Sequence, residues 1–173
     1  GMGVGVSTWR LARTVSRLGQ LGVISGTALN TILIRRLQSG DAGGNMRLAL
    51  AECPLRDAAR RIKEKYFVPG GKSATERFRM APVFSLTSPR ELVELTIVAN
   101  FVEVFLAKRG HEGCVGINLL EKIQLPALAS LFGAMLVGAM VTYLWLASRI
   151  VTADKEATVY DTNALLAGTV EDQ

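Results

Sequence analysis

The feature that most constrains the fold is a short apolar run, bounded by glycines, that lies between two helix patterns. The run from Leu21 to Gly26 is too short for a helix and contains neighbouring apolar residues without polar alternation. That pattern is typical of a strand buried on both faces, as in a parallel sheet. Helix patterns flank it, from Thr8 to Leu18 and from Leu29 to Leu37. A strand between two helices predicts a βα arrangement.

The same order returns in the second half of the chain. We predict a short strand from Pro82 to Leu86, a helix from Ser88 to Lys108, a strand from Val115 to Leu120 and a helix from Pro126 to Gly138. The apolar stripe of the long helix consists of Leu92, Leu95, Ala99, Val102 and Leu106. Alternating strands and helices favour an α/β fold with a parallel sheet.

Two helix starts carry cap signals. Ser7 precedes the first helix, whose apolar face we assign to Leu11, Val15 and Leu18. Ser88 is followed by proline and then by Glu91, the pattern of a capping box with proline at the first helical position.

The segment 41–87 breaks the alternation, and we interpret it as a mostly helical insertion. Helix patterns run from Met46 to Glu52 and from Leu55 to Tyr66. Gly70 to Ser73 resembles the end of a P-loop, but Tyr66 stands where that motif requires glycine, so we expect a turn. The chain then divides into 1–40, 41–87, 88–138 and a divergent tail, 139–173.

Charge and cysteine content narrow the function classes. The net charge is +5 over 173 residues, but arginine and lysine are dispersed without aromatic platforms or a nucleic-acid motif. We therefore expect no nucleic-acid partner. Cys53 and Cys114 are solitary, which favours reduced thiols in a cytoplasmic protein. The first forty residues lack acidic side chains, as mitochondrial transit peptides do, but a βα unit also explains their glycines.

An uncharged segment from Ile123 to Ser148 leaves a second interpretation open. It is long enough to cross a bilayer, which requires about 20 residues. Pro126 and many small residues suit a helix packed on a sheet equally well. The alternative to an α/β enzyme is a small membrane-attached or binding protein with one transmembrane helix near 123–148.

Three segments together resemble the nitronate monooxygenases, formerly called 2-nitropropane dioxygenases. They are the glycine-rich start from Gly1 to Ser7, the run from Gly19 to Gly26, and the run from Val115 to Leu120, which is similar to that family's Gly-Val-Asn-Leu strand. The resemblance covers the first forty residues and roughly 88–138.

The resemblance implies an FMN-dependent (β/α)8 TIM barrel that oxidises alkyl nitronates with O2. By this resemblance, the backbone of Gly1, Met2 and Gly3 and the side chain of Asn118 would contact the flavin. A complete barrel needs about 250 residues. We therefore expect the N-terminal part of a barrel, inactive or marginally folded alone and without a site for the FMN phosphate.

His111 superficially matches a family motif that carries a proposed base. However, it precedes the strand that bears Asn118 and would lie at that strand's N-terminal end. Active sites of barrels lie at the opposite end, so we assign His111 no catalytic role and leave the catalytic residues unassigned.

Overall fold

The structure is a computed structural model that describes residues 2–120 and 124–140. The chain divides into two units, Gly1–Val137 and Gly138–Gln173. Of the described residues, only 138–140, at the end of the last helix, belong to the second unit.

The described part contains six helices and two parallel strands. In chain order these are α1 (Trp9–Arg17), β1 (Gly22–Ser25), α2 (Leu29–Gln38), α3 (Asn45–Glu52), α4 (Arg56–Tyr66), α5 (Arg90–Lys108), β2 (Val115–Asn118) and α6 (residues 127–140). The strands pair in register from Gly22 opposite Val115 to Ser25 opposite Asn118. The mixed α/β class and the parallel pairing are confirmed.

The long helix α5 organises the core. It packs against α1, α2, α3, α4 and β2, and 12 of its 19 residues are buried. All five residues of the predicted stripe are among them. A helix buried over most of its circumference carries apolar residues on most of its faces, which explains why phenylalanines also lie outside the stripe.

The segment 41–87 is helical where the sequence predicted it. Helices α3 and α4 pack against each other and against α5, and Ala59, Ile62 and Tyr66 of α4 are buried. The predicted strand from Pro82 to Leu86 is wrong: these residues form a loop in which Val83 and Leu86 are about 90% exposed or more. In the part of the chain that the structure describes, β1 and β2 pair only with each other, and this apolar segment joins neither.

Helix α1 packs through a different face from the one predicted. Leu11 and Leu18 are exposed, whereas Trp9, Ala12 and Ser16 are buried. The small side chains at 12 and 16 allow close approach of two glycines. A Cβ on Gly22 would lie 1.9 Å from the carbonyl oxygen of Ala12, and a Cβ on Gly113 would lie 2.2 Å from that of Ser16.

Neither predicted serine cap forms. Ser7 Oγ instead donates to the carbonyl oxygen of Val23 at 2.6 Å, which ties the N-terminal segment to β1. Ser88 Oγ donates to the carbonyl oxygen of Ser85, and α5 begins after Pro89 without a side-chain cap. Serine hydroxyls bond readily to nearby backbone, and here the tertiary or turn partner is used instead of the helix end.

A buried glutamate performs the capping role at α1. Glu103 Oε1 accepts a hydrogen bond from the Trp9 backbone N–H at 2.8 Å. Glu103 Oε2 accepts from Arg36 Nη1 at 2.6 Å. One carboxylate therefore joins α1, α2 and α5, and its charge complements the positive N-terminal end of α1.

Candidate functional site

The carboxyl ends of the two strands meet at Gly26. Its backbone N–H donates to the carbonyl oxygen of Asn118 at 2.9 Å, one residue beyond the last register pair. A Cβ at position 26 would lie 2.6 Å from a methyl of Leu119 and 2.9 Å from that carbonyl. Glycine is therefore required for the chain to leave β1 so close to the end of β2.

The N-terminal segment runs along the other edge of β1. The backbone N–H of Ser25 donates to the carbonyl oxygen of Ser7 at 2.9 Å. The hydroxyl of Ser25 donates to the carbonyl oxygen of Gly3 at 2.5 Å. Thr27 Oγ1 donates to the carbonyl oxygen of Met2 at 3.5 Å. Successive N–H groups of a strand point to opposite edges, so this segment and β2 flank β1.

Three of the four predicted flavin contacts therefore lie at the carboxyl end of the strands. Gly3 bonds to Ser25, and Ser25 is the register partner of Asn118. Met2 lies next to them through Thr27, and the side chain of Asn118 is exposed. Gly1 lies outside the described residues. The cofactor-binding role of all four stays a prediction.

A cavity of about 580 Å³ opens beside this end of the strands. Its wall comes from the loop after β1 with the start of α2, the loop near residue 84, one face of α5, the residues after β2 and the start of α6. The lining residues are Gly26, Thr27, Ala28, Leu29, Asn30, Val83, Phe84, Thr96, Asn100, Leu119, Leu120, Gln124, Leu125, Pro126, Ala127 and Ser130. None of them is charged, and the predicted contacts Met2, Gly3 and Asn118 are adjacent to the wall rather than in it.

The start of α2 forms part of the cavity wall, through Ala28, Leu29 and Asn30. Ala28 adopts a left-handed conformation, with φ of 53°, and Leu29 opens the helix. Asn30 Oδ1 accepts the N–H of Thr31 at 2.9 Å. The first N–H groups of a helix lack partners within the helix and carry a partial positive charge. The start of α2 therefore brings a partial positive charge to this part of the wall, and none of the described lining residues is charged.

Asn100 is the functional candidate that sequence reasoning missed. It lies on the cavity side of α5 and is 1% exposed. Its Nδ2 donates to the carbonyl oxygen of Thr96 at 2.9 Å, while its Oδ1 is buried without a partner. An unsatisfied buried acceptor costs about 1–3 kcal/mol. The signal in the sequence was a lone amide inside the otherwise apolar stretch from Val98 to Val102.

His111 lies away from this end of the strands, as the sequence predicts. It follows α5 and precedes β2, and its Nε2 is 2.6 Å from the carbonyl oxygen of Ala107 in the last turn of α5. The imidazole thus contacts the last turn of α5.

The lysine of the P-loop-like segment is held by its own turn. Lys72 Nζ donates to the carbonyl oxygens of Ser73 and Glu76, and Gly71 packs against the backbone of Ser39. The segment is a turn, as predicted, and its lysine lies outside the cavity wall.

The two cysteines occupy contrasting environments. Both are free thiols; Cys53 is buried and Cys114 is exposed. Burial raises the pKa of the Cys53 thiol above its ordinary value. Within residues 2–120 and 124–140, no cluster of three or more histidine, cysteine or acidic side chains could hold a metal ion.

Comparison of the chain with protein-family models, with curated proteins and with solved structures gave no match. Among the residues that the structure describes, no helix is both long enough and apolar enough to cross a membrane. The alternative transmembrane segment, 123–148, lies partly outside those residues.

Proposed function

We propose that this chain forms the flavin-ring part of an FMN-dependent oxidoreductase of the nitronate monooxygenase type. Its substrates would be nitronate-like small molecules and O2, and its fold a partial (β/α)8 barrel. The observation that carries the proposal is a cavity at the carboxyl edge of two parallel strands, beside Met2, Gly3 and Asn118. Ligands of α/β folds bind at this edge.

The chemistry of the wall fits the isoalloxazine ring. A cavity of about 580 Å³ with apolar walls and a few uncharged polar groups is typical of a site for a flat, neutral ring system. When bound, a flavin supplies the redox chemistry, and the protein orients it and excludes water. In this proposal Leu119, Leu125 and Phe84 exclude water, while Asn100 and the first amides of α2 orient the ring.

Among the residues that the structure describes, the wall provides no charge for a phosphate. No lysine or arginine is among the sixteen described residues that line it. We therefore expect this chain to recognise the ring and to discriminate little between FMN and riboflavin.

The first test is titration of the purified chain with riboflavin and with FMN, followed by flavin fluorescence and visible absorbance. We expect saturable binding of both. Their dissociation constants should agree within about fivefold, because a solvent-exposed ion pair with the phosphate contributes about 1 kcal/mol or less. Absence of binding by both flavins would overturn the proposal.

A matched pair of variants on α6 locates the binding site. Ala127 lines the cavity, whereas the adjacent Leu128 is 82% exposed. Ala127→Trp fills the cavity and should weaken riboflavin binding by about tenfold or more. Leu128→Trp should leave it unchanged. Equal behaviour of the two variants would place the flavin elsewhere.

An exposed apolar face on α6 supports the alternative of membrane attachment. Leu128, Leu131, Phe132 and Met135 follow helical spacing and are all 46% or more exposed. Such a stripe is typical of a partner-binding or membrane-surface helix. Retention of the full chain in the membrane fraction after an alkaline wash would favour this alternative, whereas release would count against it.

A further inference from the structure

The cavity wall contains an acceptor whose orientation is fixed by the backbone. Thr96 presents a carbonyl oxygen to the Asn100 side chain, and a carbonyl can only accept a hydrogen bond. The Asn100 amide must therefore turn Nδ2 toward Thr96, which leaves Oδ1 as the free end. A flipped amide would place two acceptors against each other.

Two other polar atoms of the wall already have partners. Thr96 Oγ1 donates to the carbonyl oxygen of Leu92 at 2.9 Å, and Asn30 Oδ1 accepts from Thr31. Three buried side-chain polar atoms in the described residues lack a partner, and of their residues only Asn100 lines the cavity. Asn100 Oδ1 is thus an acceptor of the described wall that no protein donor satisfies.

We propose that Asn100 determines ligand specificity by accepting a hydrogen bond from an N–H of a neutral, planar ligand. This inference rests on the proposed function and adds to it: for a flavin, the donor is the imide N–H of the ring. A ligand without such a donor leaves Oδ1 buried and unsatisfied. It should therefore bind more weakly than a ligand that donates, by the free energy of that missing hydrogen bond.

The experiment compares riboflavin with 3-methylriboflavin, in which a methyl group replaces the imide hydrogen. We expect the wild-type chain to prefer riboflavin by about tenfold or more. Asn100→Leu, similar in size and without an acceptor, should lose this preference. Thr96→Val is the matched control, since it lies one turn away on the same wall, and it should keep the preference. Thermal melts of each variant verify that it is folded.

The outcomes separate the two proposals. Equal binding of both flavins by the wild-type chain leaves the flavin site standing and overturns the role of Asn100. A preference that persists in Asn100→Leu also overturns that role. Binding of neither flavin overturns the proposed function and this assignment with it. If Asn100→Leu does not fold, the comparison of the two flavins on the wild-type chain still tests the role of Asn100.

Discussion

At the scale of single residues, small side chains and glycines set the distances between elements. Gly22 of β1 lies against the backbone of α1 at Ala12, and Gly113 before β2 lies against α1 at Ser16. Ser16 Oγ also donates to the carbonyl oxygen of Cys114 at 2.7 Å. Helix α1 therefore sits directly on the start of both strands, where there is no space for larger side chains.

Gly22→Ala should destabilise the protein by about 2–3 kcal/mol, because the added methyl meets backbone that cannot rotate away. Gly116→Ala is the control. It lies in β2, its Cβ would have only ordinary contacts at 3.6 Å or more, and its φ is not positive. This change should be neutral or stabilising by about 0.5 kcal/mol. Urea unfolding measures both; equal effects would contradict the predicted contact with α1.

At the scale of elements, α4 and α5 are joined by a surface ion network. Glu94 on α5 accepts from Arg61 of α4 at 2.5 Å and from Arg90 of its own helix at 2.8 Å. Burial by itself raises the pKa of Glu94, but the hydrogen bonds and charges of the two arginines outweigh it and hold the pKa below its ordinary value.

This lowered pKa predicts a pH dependence of stability. A carboxyl whose folded pKa is depressed stabilises the folded state above its unfolded pKa, here near 4.5, and loses that contribution as pH falls through the folded value. The stability difference between wild type and Glu94→Gln should be about 0.5–1 kcal/mol at pH 7 and should shrink below pH 4.5. Denaturant unfolding at stepped pH measures it. A difference that is constant across this range would contradict the network.

Helix α6 packs closely on α5, and both helices line the cavity. Gly133 lies so close to α5 that a Cβ would be 2.2 Å from the carbonyl oxygen of Ile97. This approach brings the start of α6, with Ala127 and Ser130, to the cavity wall beside Asn100. The cavity thus depends on the close packing of α6 on α5.

At the scale of the whole unit, Glu103 connects segments that are distant in the sequence. It is 3% exposed, and it bonds to Trp9 and Arg36, which lie 94 and 67 residues away along the chain. Arg36 retains partial exposure, with 26% of its side chain accessible. The pair therefore anchors the N-terminal helix to the core.

Glu103→Gln should lower the free energy of unfolding by about 2–3 kcal/mol, less than the full cost of breaking a buried ion pair, because glutamine still accepts from Trp9 and Arg36 can hydrate. Glu64→Gln, at an exposed position of α4, is the charge-matched control and should have little effect. Chemical denaturation compares them; two equal curves would show that the buried pair adds nothing to stability.

The sequence predicted the positions of the helices better than it predicted which helix face is buried or how a helix is capped. The stripe of α5 was correct because a long helix has many apolar positions that average out local errors. The face of α1 was wrong because hydrophobicity favours Leu11 and Leu18, whereas close packing of α1 favours the small Ala12 and Ser16. The caps were wrong because the hydroxyls of Ser7 and Ser88 found other backbone partners.

The sequence by itself determined the mixed α/β class, the helices and the parallel strands, since these follow from periodicity and from glycine punctuation. The resemblance to a known family predicted Gly1, Met2, Gly3 and Asn118 as flavin contacts. Met2, Gly3 and Asn118 lie at the carboxyl end of the strands, and the cofactor-binding role of all four stays a prediction. Only the tertiary structure decided that a cavity lies beside them and that Asn100, whose Oδ1 is buried without a partner, lines it. The physical reason is that both depend on how α2, α5 and α6 pack around the strand ends, and such packing has no local sequence pattern.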